Sequence, residues 1–205
     1  MRRGKYEATN PKQQNKEKET FTQTVFGYLH DILSLLVVII LVLVFCLRVV
    51  IVSGSSMKNT LVDGDYVLLL SNYLYHNPHQ GDIVVASKDS FRGGEPIIKR
   101  VIAVEGQQVD IDFTAGIVYV DGIALDEPYI GSPTHTPEGV DFPLVVEPGC
   151  IFVLGDNRMG SQDSRSPSIG LIDRREILGR AIFLLIPGTD KGETPRNFDR
   201  IGGLI

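Results

Sequence analysis

Cysteine is scarce in this chain, and histidine is too sparse to suggest a metal site. The 205 residues include two cysteines, Cys46 inside the one long apolar run and Cys150 far beyond it. A disulfide between them would have to join a membrane interior to a soluble domain, so we expect none. His76 and His79 form an H-x-x-H pair without further cysteine or histidine at metal-ligand spacing, so the sequence predicts no metal and no cofactor.

Basic stripes and low-complexity segments are also missing. The formal net charge is -5, and no basic stripe follows the N-terminal tail, so nucleic acid is not an expected partner. The first twenty residues are polar and carry charges of both signs, which predicts a disordered tail. With 43% hydrophobic and 22% charged residues, the remainder has room for one modest globular domain and an anchor.

Residues 32–52 form the long apolar run, and Arg48 is its single charge. A helix of this length rises ~1.5 Å per residue and spans a hydrocarbon core of about 30 Å, so we predict one uncleaved transmembrane helix. A buried core helix would show polar positions at helical spacing, and a cleaved signal peptide would have a shorter apolar region. Two alternatives stay open for Arg48: its guanidinium snorkels to the interface, or the membrane ends near Leu47.

The charges on either side of the run predict its orientation. Only Lys58 is basic soon after the run, whereas several basic residues precede it. Because positive charge stays on the cytoplasmic side, we expect a cytoplasmic tail over residues 1–28, an anchor over 29–52 and an extracytoplasmic domain over 53–205. The preceding basic residues are Arg2, Arg3, Lys5, Lys12, Lys16 and Lys18.

The outer domain alternates short apolar stretches with Gly, Asp, Asn and Pro, a pattern typical of strands. We therefore predict a mainly β fold of twisted sheets, with a hairpin through the Asp121-Gly122 turn. Residues 124–148 are richer in Pro, Gly and acidic groups and are expected to form loops or a small cap. The predicted strands cover residues 66–70, 82–86, 97–104, 116–120, 150–154 and 179–186.

A candidate nucleophile, Ser56, follows the apolar run within the segment 54–61, G-S-S-M-K-N-T-L. A lone serine in a Gly/Ser turn is by default a turn residue. A serine nucleophile needs a base, but the outer histidines lie in Pro-rich loop contexts and no G-x-S-x-G elbow surrounds Ser56. A neutral lysine can replace histidine where desolvation lowers its pKa from ~10.4 toward neutrality. Lys99 lies in the apolar run I-I-K-R-V-I, although alternation alone also fits an exposed strand lysine.

A third segment, residues 155–165, reads G-D-N-R-M-G-S-Q-D-S-R and is dense in polar groups. Taken alone, it fits a solvated turn held by Asp–Arg pairs. Together with the other two segments it resembles the type I signal peptidases, which carry S-M-x-P-T-L, then G-D-I-V, then a Lys-Arg pair, then G-D-N-R-D-N-S-x-D-S-R. The same order occurs here behind an anchor, and the resemblance covers most of residues 30–186.

This resemblance implies a membrane-bound serine endopeptidase with a signal-peptidase-like twisted β-sheet domain. Its substrates would be exported pre-proteins, cleaved after small residues, and its further partners would be membrane lipid and the protein-export machinery. Ser56 would be the nucleophile and Lys99 the base, with Ser161 hydrogen-bonding the lysine amine. The resemblance also implies two supporting ion pairs, Asp163–Arg165 and Asp156–Arg100, and shallow substrate pockets lined by Val52, Met57 and Ile98.

The chain departs from the family pattern at three places. Asn59 stands where proline is usual, which bears on the rigidity of the turn after the nucleophile. Met159-Gly160 replaces Asp-Asn, so this loop loses polar side chains. Gly54 stands where some members have a serine that donates to the oxyanion, which leaves the backbone N–H of Ser56 as the expected donor.

Other functions also fit parts of the pattern. Ser55-x-x-Lys58 satisfies the S-x-x-K motif of penicillin-binding proteins, but S-D-N and K-T-G are missing and the outer domain of about 150 residues is short for that fold. A membrane-tethered β domain that only binds a partner is a second alternative. Self-cleaving repressor-type proteases use a Ser-Lys pair on a β fold as well, but they have no membrane span.

Overall fold

The computed structural model describes residues 11–91, 93–189 and 195–204, and side chains within 11–22 are described only for Phe21. The chain divides into two units, Met1–Val44 and Phe45–Ile205, which we describe separately. The beginning of the predicted tail, residues 1–10, lies outside the described residues.

The first unit contains the helix α1, which runs Pro11–Cys46 and continues into the start of the second unit. It therefore begins inside the segment expected to be a disordered tail, because the Lys, Glu and Gln residues there are good helix formers that extend an already nucleated helix. Its part Gln23–Cys46 is 24 residues long with a mean hydropathy of 2.8 and is long and apolar enough to cross a membrane. This helix supports membrane anchoring.

The helix ends at Cys46, earlier than the predicted anchor over 29–52. Leu47–Ile51 instead form the strand β1, which pairs with a later strand. Pairing with that strand explains the change, because β-branched residues also occur inside the helix, at Val37 to Ile40, and favour a pleated strand only where a partner strand is available. Arg48 thus lies on β1 and not within the helix.

The regular structure of the second unit is mainly β, as predicted. The six strands expected from the sequence are all present, and further strands, most of them short, are added to them. After β1, the strands are β2 Tyr66–Ser71, β3 Ile83–Ala86, β4 Ile97–Val104, β5 Gln108–Asp112, β6 Ile117–Val120, β7 Ile123–Ala124, β8 Leu144–Val145, β9 Cys150–Leu154, β10 Ile172–Asp173, β11 Ile177–Ile186 and β12 Gly202–Gly203.

These strands form two antiparallel sheets. The larger has the order β1-β2-β11-β3-β4-β9-β10, with β12 added to β11, and the smaller has the order β7-β6-β5-β8. The predicted hairpin joins β6 to β7, where Asp121 and Gly122 have φ values of 50° and 78°. Two positive φ values are what a two-residue hairpin turn requires. Apart from Ala124, the last residue of β7, and the strand β8, the region 124–148 is irregular.

Apolar side chains between these layers form three buried clusters. The first joins the beginning of the domain to the large sheet, and Val52, Met57 and Leu61 belong to it. Met57 is 1% exposed and Leu61 0% exposed, and burying a side chain of this size stabilises a fold by about 1.5–3 kcal/mol. This cluster therefore supports the segment that carries Ser56.

The strand β4 has a neighbour on both edges along only part of its length. Its partner β3 pairs with it from Ile97 to Arg100, but β9 pairs with it only from Arg100 onward. At Ile97 and Ile98, β3 is thus the only strand neighbour within the described residues. An edge of this kind can accept an added strand.

Candidate active site

The structure brings Ser56 and Lys99 into contact, although they are 43 residues apart. The distance from Lys99 Nζ to Ser56 Oγ is 2.8 Å, and the amine also donates to the carbonyl of Ile98 at 2.9 Å. Lys99 is 4% exposed, so it is not the solvent-facing strand lysine that alternation also allowed. A hydroxyl and a buried amine at this separation are suited to proton transfer.

Ser56 precedes a tight helical turn. The amides of Thr60 and Leu61 both donate to the carbonyl of Met57, at 3.1 and 2.8 Å. Before the serine, Gly54 has a φ of 91° and donates its amide to the Asp63 carboxylate at 2.7 Å. The turn is thus secured at its start by a side-chain hydrogen bond and along its length by the apolar cluster.

Asn59 lies within this turn in a backbone conformation that proline cannot adopt. Its φ is 97°, whereas the proline ring holds φ near −65°. Asparagine enters the positive region more readily than most residues. The departure from the family pattern at this position therefore goes with a different local backbone.

The predicted pair of Arg100 and Asp156 is present and buried. Arg100 donates to both carboxylate oxygens, at 2.9 Å from Nε and 2.8 Å from Nη2, and the two side chains are 2% and 0% exposed. The guanidinium also lies 4.0 Å from the centre of the Tyr129 ring, and the Thr60 hydroxyl donates to Asp156. This pair links β4 to the turn after Ser56.

The second predicted pair, Asp163 and Arg165, is also bidentate, with distances of 2.8 and 2.9 Å, and both residues are fully buried. Asp163 accepts the amide of Gly155 at 3.0 Å. The alternative of a solvated turn does not fit these positions. Arg165 also donates to three backbone carbonyls, from Nη1 to that of Thr136 and from Nη2, which it shares with Asp163, to those of Arg158 and Ser161.

The predicted hydrogen bond between Ser161 and Lys99 is absent from this structure. Ser161 is 4% exposed, and its hydroxyl has no hydrogen-bond partner within the described residues. The side chain lies close to Gly155, where an added methyl group would be 2.1 Å from the Ser161 oxygen. The carbonyl of Ser161, held by Arg165, contributes to this placement.

Sequence reasoning missed a third buried ion pair, between Arg158 and Glu127. Arg158 donates to both Glu127 oxygens, to the Thr134 hydroxyl at 2.5 Å and to the carbonyl of Gly155 at 3.1 Å. Arg158 belongs to the polar segment already noted, but its partners come from the irregular region 124–148. No periodicity marks those partners, so they could not be identified from the amino-acid pattern.

The polar segment also contacts the backbone of Ser56 directly. The backbone amide of Asn157 donates to the carbonyl of Ser56 at 3.0 Å, and the Asn157 side chain donates to the carbonyl of Ser55 at 3.0 Å. Gly155 approaches so closely that an added methyl group would lie 2.5 Å from the Ser56 carbonyl oxygen. Only glycine fits at this position without displacing the segment that carries Ser56.

A groove of about 590 Å³ opens onto Ser56 and Lys99. One wall is formed by residues 50–57 and the other by residues 95–99, with Val85, Phe91, Gly160 and Gln162 completing the lining. All three residues expected to bind substrate, Val52, Met57 and Ile98, lie along it. The lining is largely apolar, which suits small uncharged side chains.

The profile of the family described as "Signal peptidase, peptidase S26" matches residues 25–186. The chain belongs to this family. Signal peptidase I of Bacillus licheniformis is 30% identical over 187 residues, which cover 87% of this chain and 95% of that protein. Probable signal peptidase I-1 of Synechocystis is 36% identical over 150 residues, covering 69% and 72%. The solved structure of a signal peptidase I from Enterococcus faecalis is 29% identical and covers 51% of this chain and 96% of that chain, with a TM-score of 0.41.

Membership of the signal peptidases implies removal of signal peptides, so the close approach at Gly155 can be tested through activity. Gly155→Ala should reduce the rate of pre-protein cleavage about 100-fold, because the new methyl group must push the Ser56 backbone or Ser161 aside. Initial rates in detergent measure this effect. Gly27→Ala is the control, since its methyl group meets nothing within 4 Å. Wild-type rates for Gly155→Ala would contradict the packing described.

The backbone at Asn59 yields a test of stability. Asn59→Pro should restore the family residue yet destabilise the protein by more than about 1 kcal/mol, because a positive φ is closed to proline. In a domain of this size that corresponds to a fall in Tm of at least ~2–4 °C, measured by circular dichroism. Asn59→Gly keeps the φ accessible and should not lower Tm comparably. An unchanged or higher Tm for Asn59→Pro would be incompatible with this turn.

Proposed function

We propose that this chain is a membrane-bound serine endopeptidase that removes signal peptides by Ser-Lys chemistry, with Ser56 as nucleophile and Lys99 as base. The 2.8 Å contact between the Lys99 amine and the Ser56 hydroxyl carries the proposal. Burial of Lys99 supports it, since removal from water disfavours the ammonium form that cannot accept a proton. In the neutral form, one N–H donates to the Ile98 carbonyl while the lone pair accepts the serine proton.

Acylation would begin as Lys99 takes the proton of Ser56 and the serine oxygen attacks the scissile carbonyl. The backbone N–H of Ser56 would stabilise the oxyanion, since the Gly54 amide is already donated to Asp63. Collapse of the intermediate breaks the C–N bond, and the lysine proton passes to the leaving amine, which becomes the N-terminus of the mature protein. The signal peptide remains attached to Ser56 as an ester.

Deacylation would repeat these steps with water. Lys99 takes a proton from water, the resulting hydroxide attacks the ester carbonyl, and the proton returns to Ser56 as the C–O bond breaks. The signal peptide leaves with a free carboxyl group, and the serine and amine return to their starting forms.

The substrate would bind as an extended strand in the groove, where β4 has an open edge at Ile97 and Ile98. Val52, Met57 and Ile98 would form its shallow pockets for small side chains before the cleaved bond. The helix segment Gln23–Cys46 would anchor the chain in lipid, with the N-terminus cytoplasmic and the domain extracytoplasmic, beside the export machinery that delivers pre-proteins.

Cleavage of a pre-protein by the full-length protein in detergent tests this proposal. Ser56→Ala and Lys99→Ala should each lower the rate at least roughly 1000-fold, because the nucleophile and its base act as a unit. Lys58→Ala is the matched control, since Lys58 is the lysine that a penicillin-binding S-x-x-K site would require. Full activity of Lys99→Ala, or loss of activity in Lys58→Ala with covalent binding of penicillin by the wild type, would contradict the proposal.

The pH profile gives a second test. Activity should rise with pH, because protonated Lys99 cannot act as a base. Burial, followed by the charge of Asp163, raises the pKa of Glu138, while Arg165 and Lys99 act in the opposite direction. By reciprocity, ionised Glu138 favours the ammonium form of Lys99. Glu138→Gln should therefore shift the pH range over which the cleavage rate rises, the rising limb of the profile, to lower pH, by less than about one pH unit.

The control for this shift is Glu147→Gln, which removes an exposed carboxylate that does not contribute to the groove. Its rising limb should coincide with that of the wild type. A limb that stays in place in Glu138→Gln, or moves to higher pH, would show that Lys99 is not the group that titrates.

A further inference from the structure

The C-terminal segment lies beyond the part of the chain that matches the family, which ends at residue 186. It nevertheless packs against the domain that carries the site. The strand β12 pairs with β11, and Leu204 packs against the apolar cluster that contains Met57. Arg200 lies at the end of the short 3-10 helix Phe198–Arg200. Its side chain reaches the turn formed by residues 56–61, the nucleophile turn.

Arg200 binds a fully buried carboxylate close to the nucleophile turn. Its two terminal nitrogens donate to the two oxygens of Asp65 at 3.0 and 2.6 Å, across 135 residues of sequence. Asp65 is 0% exposed and also accepts the amides of Val62 at 2.8 Å and Gly188 at 2.6 Å. Every oxygen of this carboxylate is therefore hydrogen-bonded, and the guanidinium is held in one orientation.

The same guanidinium reaches the turn itself. Its Nη2 atom donates to the carbonyl of Thr60 at 3.2 Å. A guanidinium N–H that donates to a backbone carbonyl makes a charge-assisted hydrogen bond, which is stronger than one between neutral groups. On its other side, the Thr60 hydroxyl donates to Asp156 and accepts from Arg100 at 3.3 Å. Thr60 is thus held from two directions.

We infer that Arg200 is a positioning residue for the nucleophile: it holds the end of the turn whose other end is Ser56. This inference rests on the proposed function. The positive φ of Asn59 is closed to proline, so no ring restrains the backbone of the turn at this position. The contact from Arg200 to the next residue supplies a restraint from outside the family segment.

Loss of Arg200 should act on the chemical step more than on substrate binding. Neither Thr60 nor Arg200 lines the groove, so KM should change by less than about twofold. A shift of the turn would misalign Ser56 with Lys99, and misplacement of a reacting group by about 1 Å lowers rates by up to ~100-fold. We expect kcat to fall at least about tenfold.

The experiment must separate positioning from stability, because removal of Arg200 alone leaves a buried carboxylate without its cation. The double variant Asp65→Asn, Arg200→Gln removes both charges and avoids this. Arg200→Lys restores a charge near Asp65, but one ammonium cannot reproduce the planar fork that spans Asp65 and Thr60. The control is Arg175→Gln, which removes an exposed bidentate ion pair. In that pair Arg175 donates to the two carboxylate oxygens of Asp173, at 2.9 Å from Nε and 2.5 Å from Nη2.

Full-length proteins in detergent are compared by kcat and KM on a pre-protein, by Tm, and by hydrogen exchange over residues 57–61. The inference requires three results: a lower kcat with little change in KM for the double variant, recovery of Tm but not of kcat in Arg200→Lys, and faster exchange in the turn. The control should match the wild type in all three.

Two outcomes overturn the inference: a folded double variant with kcat within twofold of the wild type, or an Arg200→Lys variant whose kcat recovers together with its Tm. Absence of cleavage by the wild type would count against the proposed function instead. In that case exchange still decides whether Arg200 restrains the turn, since unchanged exchange in the double variant would remove the basis of the inference.

Discussion

The contact between a buried amine and a serine hydroxyl sets the requirements that the rest of this domain meets. Lys99 lies on β4, which is inside the large sheet, and Ser56 begins a turn whose residues Met57 and Leu61 are packed into the core. These two placements bring the Lys99 amine to the Ser56 hydroxyl. Arg100 and Arg165, the buried arginines near it, each bind their own carboxylate. Their charges are thereby balanced locally, and the lysine is not surrounded by unpaired cations.

These buried ion pairs contribute little net stability, because the desolvation penalty offsets much of the attraction between their charges. Their hydrogen bonds to the backbone explain their placement better than their stability does. Each arginine also donates to backbone carbonyls, and Arg158 and Arg165 together hold those of Gly155, Thr136 and Ser161. Arginine side chains thus hold the backbone of the polar segment 155–165, and the amide of Asn157 in this segment holds the carbonyl of Ser56.

Local sequence patterns predicted those structural elements that depend on residues close together in the sequence. Short apolar stretches bounded by turn residues identified the main strands, and the Asp-Gly turn identified the hairpin. The motif resemblance named the two ion pairs and the groove residues. The end of α1 was not predictable from hydropathy, because Leu47–Ile51 are as apolar as the helix before them and become a strand only by pairing with β2. The Glu127–Arg158 pair and the position of the Ser161 side chain depend on packing between distant segments, which no periodicity encodes.

The backbone of the turn after Ser56 is held by contacts with residues that are distant in the sequence. A proline at position 59 would hold its own φ near −65°, which this turn, with a φ of 97°, does not allow. With Asn59 in its place, order in the turn comes from the core beneath Met57, from Asp156 and Arg100 on the Thr60 hydroxyl, and from Arg200 on the Thr60 carbonyl. Contacts of this kind exist only in the folded domain, so the turn after Ser56 is held by long-range contacts, one of them from Arg200 in the C-terminal segment, as well as by the motif that contains it.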